Sequence, residues 1–153
     1  MTTGVLRWGI KSSMLDYVRM LPDGTLTFDG VDAREQRVFE FPLIDASGWT
    51  GEGGILRFGG EFRSTGHHGT RLTTIVLPSI EVRGTVGRLS VQRWDGRDTR
   101  LEIAEFDWPA GEPTEDGVRR LLAPAMAIEG GEIFGDVYTA GTPLDEAVVV
   151  LDL

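Results

Sequence analysis

A chain of 153 residues with 41% hydrophobic and 25% charged side chains can bury a core of its own, and residues 1–153 read as one globular domain. Its 24 acidic and 15 basic side chains leave a net charge of −9 with no basic stripe, which speaks against a nucleic-acid partner. Cysteine is absent, which excludes disulfides, thiolate metal sites and cysteine nucleophiles, and with two histidines a zinc site would need carboxylates to complete it. The opening Met1-Thr2-Thr3-Gly4-Val5-Leu6-Arg7-Trp8 lacks a basic n-region and an apolar h-region, and no run approaches the roughly 18 apolar residues of a spanning helix. With Met1 as the natural start this predicts a cytoplasmic protein without membrane insertion; an incomplete N-terminus would make it extracytoplasmic.

Val5 to Ile10 reads as a first strand. Ser12 or Ser13 then stands at an N-cap position before Met14, Val18 and Leu21 at helical spacing, predicting a helix of two to three turns. Pro22-Asp23-Gly24 ends it with turn chemistry, and Thr25 to Phe28 resumes as strand. Short β-like runs follow between glycines: Arg37 to Phe41, Ile55 to Phe58, Arg71 to Val76, Ile80 to Val82, Val86 to Trp94 and Leu101 to Phe106. Within them Leu89 and Val91 against Ser90 and Gln92 suggest one wet face, and Trp94-Asp95-Gly96 a hairpin turn. Trp108 to Pro113 reads as a loop, residues 114–122 and 130–140 as short helices, the second with Ile133, Phe134, Val137 and Tyr138 on one side. Ala147 to Leu151 closes the chain as an apolar strand. The pattern predicts an all-β fold, an antiparallel β-sandwich with two or three short helices.

Two features stand apart from this scaffold. Ser13 and Tyr17, four residues apart, share a face of the first helix beside the stripe of Met14, Val18 and Leu21. In Gly66-His67-His68-Gly69 the only two histidines lie adjacent between glycines at a strand entrance, where backbone can approach a ligand closely. Alone, a helix tyrosine beside apolar residues is usually core, and a His-His pair in a glycine turn is usually solvated loop.

The run Leu6-Arg7-Trp8-Gly9-Ile10-Lys11-Ser12-Ser13-Met14-Leu15-Asp16-Tyr17-Val18 resembles the opening of the HtaA (haem-transport-associated) domain family. The likeness continues through Phe39-Glu40-Phe41-Pro42, Leu56-Arg57-Phe58-Gly59-Gly60, Gly66-His67-His68-Gly69 and Pro78-Ser79-Ile80-Glu81-Val82. It ends on Phe134-Gly135-Asp136-Val137-Tyr138-Thr139-Ala140-Gly141-Thr142-Pro143-Leu144-Asp145, which looks like the family's closing motif. The resemblance implies a β-sandwich with a cleft beside the first helix that takes haem b in the ferric state. By position, Tyr17 would be the axial ligand of the iron, His67 its hydrogen-bond partner, and Ser13 a neighbour of a haem propionate. His68 is the alternative to face Tyr17 if the loop register differs. Phe58, Phe62, Phe134, Tyr138 and Met14 are the expected apolar walls, and Lys11 a candidate for a propionate.

The chemistry is coherent in its own terms. A free phenol keeps its proton to about pH 10, so a phenolate at neutral pH needs a strong Lewis acid and a hydrogen-bonding neighbour. A hard anionic oxygen prefers ferric to ferrous iron, which suits a protein that takes up oxidised haem and releases it on reduction. The expected function is therefore a haem carrier, acceptor or buffer in haem and iron uptake, with a haem donor or acceptor protein as partner, and not an enzyme. A binding sandwich for a non-haem ligand or a protein partner is the alternative, and peroxidase- or catalase-like activity a lesser one, since no distal acid or base is evident. Family members are typically secreted or membrane-anchored, in contrast to the cytoplasmic reading above. Exposed strand edges would permit a homodimer without requiring one.

Overall fold

The computed structural model describes residues 3–152 apart from 36, 94, 96, 116, 128, 129 and 135–137. The chain runs through β1 (Thr3–Trp8), α1 (Ser12–Met20), β2 (Thr25–Asp29), β3 (Asp32–Arg34), β4 (Val38–Asp45), β5 (Gly54–Phe58), β6 (Glu61–Gly66) and β7 (Thr70–Val76). It continues through β8 (Ser79–Arg83), β9 (Val86–Gln92), β10 (Arg100–Asp107), β11 (Glu112–Thr114), β12 (Gly117–Leu122), β13 (Ala125–Met126), α2 (Gly130–Ile133) and β14 (Ala147–Asp152). Among the described residues no helix is long and apolar enough to cross a membrane.

Two antiparallel sheets form. The larger follows the order β11-β12-β14-β1-β4-β5-β8-β9-β10-β13, with β3 also on β4, and the smaller is β2-β6-β7. Alternation in each strand selects the buried face: Leu6 and Trp8 on β1, Phe39 and Phe41 on β4, Leu56 and Phe58 on β5, Leu89 and Val91 on β9 all point into the core. Each such side chain, fully buried, contributes roughly 1.5–3 kcal/mol. Phe39 meets Phe62 of the small sheet with ring centroids 4.8 Å apart, so the two sheets share one core. α1 packs on β2 and β6, and α2 on β10 and β7.

The expected all-β architecture with short helices holds, with differences that have physical causes. Within residues 114–122, Thr114 and Gly117–Leu122 are strand where helix was expected: β12 pairs with β14 in the register Val118↔Leu151 to Leu122↔Ala147, because the edge of β14 away from β1 needs a partner for its backbone groups. Of the helix expected over 130–140, Gly130–Ile133 is helical and Phe134 is in a turn, while residues 135–137, Val137 among them, lie outside the described residues. β6 carried no amphipathic signal because its buried face presents Ser64 and Gly66 beside Phe62. On β10 a register shift between Glu102 and Ala104 buries the consecutive Ile103 and Ala104, which blurs the alternation. β9 ends at Gln92, and the expected turn at Trp94-Asp95-Gly96 falls partly outside the described residues.

Candidate functional site

α1 starts one residue earlier than serine capping would place it. The N-cap is Lys11 in extended conformation, with no side-chain cap of its own, and Ser12 is already helical. The capping acceptor comes from the far end of the chain: Asp145 Oδ1 receives the Ser12 backbone N–H at 2.9 Å and the Ser12 hydroxyl at 3.2 Å. The same residue accepts the Trp8 indole N–H on its carbonyl at 2.9 Å and donates its backbone N–H to Ile10 at 3.0 Å. Ile10 is a buried β-branched residue held at φ 63°, and this bracket keeps it in that costly conformation while the chain turns from β1 into α1. Met14, Leu15 and Val18 face the core, while Ser13 and Tyr17 stand on the outer side.

Tyr17 is 48% exposed, yet its phenol is engaged: Oη lies 2.6 Å from His67 Nε2. His67 sits in the β6–β7 hairpin turn and not in extended chain. His67, His68 and Gly69 take φ values of 46°, 67° and 82°, three consecutive left-handed residues, and this coil aims the His67 ring at the helix. Asp23, in the turn that ends α1, receives the His67 N–H on Oδ1 at 3.2 Å and the His68 N–H on Oδ2 at 2.6 Å. Thr70 donates its hydroxyl to the His67 carbonyl at 2.9 Å.

Tyr17 and His67 stand at a cleft of about 410 Å³ whose other lining residues are Met14, Val18, Leu72, Phe134 and Tyr138. That is a largely apolar hollow whose polar groups are the phenols of Tyr17 and Tyr138 and the imidazole of His67, within the usual size of a small-molecule site. Lys11 leans over the Tyr138 ring at 4.9 Å and donates to the Pro143 carbonyl at 3.3 Å. A larger hollow of about 490 Å³ between β10 and β13 has no aromatic side chain among the described residues that line it, and its carboxylates, Glu102 and Glu105, both lie near Arg88. Among the described residues no three His, Cys, Asp or Glu side chains converge to hold a bare metal ion.

The family model for HtaA matches residues 3–150. The chain belongs to the HtaA family. Among solved structures, the C-terminal domain of HtaA from Corynebacterium glutamicum superposes with a TM-score of 0.74 at 25% identity, covering 97% of this chain and 96% of that one. The N-terminal domain of the same HtaA gives a TM-score of 0.75 at 19% identity, covering 99% and 97%. HtaB from the same organism, a haem-binding protein, gives 0.71 at 19% identity, covering 99% and 93%. No curated protein is significantly similar to the chain in sequence.

Against the HtaA resemblance, the structure brings Tyr17 and His67 together, and His68 is not the partner. Ser13 lies exposed one turn before Tyr17 and does not line the cleft. Met14, Phe134 and Tyr138 line it as expected, but Phe58 and Phe62 do not. Both are fully buried on strands that face the inter-sheet core, where strand alternation sends them inward. Leu72, on β7, and Asp23 went unrecognised. Leu72 reaches the cleft only through the β6–β7 pairing, and Asp23 read as turn punctuation although its carboxylate spans to a segment 44 residues away.

Proposed function

We propose that the chain binds ferric haem in the cleft beside α1, with Tyr17 as the axial oxygen ligand and His67 hydrogen-bonded to that oxygen, and that it serves as a haem carrier, acceptor or buffer in haem uptake. The observation that carries this reading is the 2.6 Å Tyr17–His67 contact at the mouth of an apolar cleft. A phenol paired with an imidazole is a donor set suited to ferric iron, and Met14, Val18, Leu72, Phe134 and Tyr138 form a wall suited to a flat apolar ring. Membership of the HtaA family, and the fold shared with a haem-binding protein, support the same reading.

Ferric haem, when bound, would supply Lewis acidity that favours loss of the phenol proton. His67 Nε2 stands where it can take that proton and then donate it back as a hydrogen bond to the phenolate oxygen. Ser13, exposed one turn before Tyr17 and outside the cleft lining, would meet only a propionate that extends out of the cleft along α1. The partly exposed Tyr17 makes the ligand accessible to a donor or acceptor protein without unfolding the cleft.

The test is a titration of purified apoprotein with ferric haemin beside Tyr17→Ala. A saturable, stoichiometric complex with a phenolate-to-iron charge-transfer band, absent in a folded Tyr17→Ala, is the expected result. Stoichiometric binding retained by that variant would overturn the assignment, and no saturable binding to the parent chain would turn the search to a non-haem ligand.

A further inference from the structure

We infer that Asp23 is a positioning residue for the Tyr17–His67 pair: its carboxylate holds the His67–His68 turn in left-handed conformation and ties that turn to the end of α1. The inference rests on the reading of Tyr17 and His67 as the ligand-holding pair; Asp23 does not itself line the cleft but bonds the backbone of His67, which does.

An exposed hydrogen bond between two side chains competes with water and holds its geometry weakly. The Tyr17–His67 contact is of this kind, since the phenol is half exposed. It needs a backbone that keeps the two rings in register, and two non-glycine residues in succession at φ 46° and 67° would not adopt that conformation unaided. Asp23 answers both requirements. One oxygen accepts the N–H of His67 and the other that of His68, at 3.2 and 2.6 Å, so the N–H groups of both left-handed histidines end on one carboxylate. With the Thr70 hydroxyl on the His67 carbonyl, both backbone polar groups of His67 are engaged and its ring is left aimed at Tyr17.

The other end of the clamp is equally fixed. Asp23 follows Pro22, and Gly24 donates its N–H to Leu21 at 3.2 Å while packing so closely on α1 that a Cβ there would lie 1.8 Å from the Val18 carbonyl oxygen. On the facing side, a Cβ on Gly66 would lie 2.5 Å from Leu21 Cδ1, so the hairpin and the helix end are in direct contact. The distance from Tyr17 to His67 is thus set through a short rigid path: Tyr17, the last turn of α1, Asp23, His67.

The test begins on apoprotein by NMR, where two histidines and two tyrosines give few ring signals to assign. Asp23→Ala is expected to shift the Tyr17 ring signals to where His67→Ala shifts them, with the Trp8 indole and the β1, β4 and β14 amides unchanged. Adding His68→Gly, which takes positive φ without help, is expected to restore them partly. With ferric haemin, Asp23→Ala is expected to speed haem loss about 10-fold, and Asp23→Ala/His67→Ala to lose it no faster than His67→Ala alone. Parent-like Tyr17 and His67 ring signals in folded Asp23→Ala, or additive effects in the double variant, would overturn the proposal. If Asp23→Ala does not fold, Asp23→Asn decides: with an acceptor for only one of the two N–H groups, it must give an intermediate shift, and parent-like signals would refute the clamp. If the parent chain binds no haemin, the haem reading fails while the ring signals still decide the clamp.

Discussion

The phenol of Tyr17 and the imidazole of His67 are joined by a single hydrogen bond, and its value changes once the phenol is ionised. A bond to a charged oxygen contributes about 1.5–3 kcal/mol, so His67→Ala should retain haem but release it roughly 10–100-fold faster, measured by transfer to an excess of haem scavenger. His68→Ala, whose ring is not the partner of Tyr17, should change that rate far less. A third residue is informative away from the cleft. The Ser47 backbone N–H, donated to Asp45 at 2.8 Å, followed by the Ser47 hydroxyl and with Arg57 adding to them, holds the Asp45 carboxyl below its ordinary range. A carboxyl lowered on folding stabilises the fold above its unfolded value near 3.9, and that stabilisation is lost as pH falls through the folded value. Asp45→Asn should therefore flatten the decline of the urea midpoint between about pH 5 and pH 3, by a small amount because the group is exposed.

For α1, the apolar stripe of Met14 and Val18 was legible as helix, and the turn at Pro22-Asp23-Gly24 as its end. Its beginning was not legible, because the capping carboxylate belongs to Asp145, 133 residues away in the chain. Asp145→Ala should cost about 1 kcal/mol, the usual value of an N-cap, and should weaken haem binding with it because Tyr17 rides on the same helix. Urea midpoints and haem titration of the one variant check both. In β12, Gly117 at φ 130° would put a Cβ 2.1 Å from the Leu151 carbonyl oxygen, so the strand register there depends on glycine. No local pattern distinguishes Val118 to Leu122 from a short helix; only the unpaired edge of β14 does.

Across the whole molecule, β1 lies between β14 on one side and β4 on the other, so the first and last strands of the chain pair in the middle of the large sheet. Removing residues 147–152 would strip partners from β1 and β12 together and release the Asp145 bracket's neighbour, and circular dichroism should show an unfolded chain rather than a trimmed one. The cleft depends on the same closure, since α1, the β6–β7 hairpin and the segment with Phe134 and Tyr138 come from three separate regions. If Tyr17 holds ferric haem through a hard anionic oxygen, reduction with dithionite should speed release from the holoprotein, seen as loss of the Soret band to a scavenger.

Most of the fold class was legible because strand alternation and glycine punctuation are local properties: Leu89 and Val91 against Ser90 and Gln92 need no partner to be read. That Tyr17 and His67 meet was legible as well, through likeness to a family. What only the tertiary structure decided was everything carried by contacts between distant segments. Asp145 caps α1, Asp23 coils the histidine turn, Leu72 turns into the cleft, and Phe58 and Phe62 turn away from it. The physical reason is the same in each case: a carboxylate looks the same in sequence whether it meets water or a backbone N–H forty residues away, and an apolar side chain takes its neighbours from the pairing of strands, which no single strand encodes.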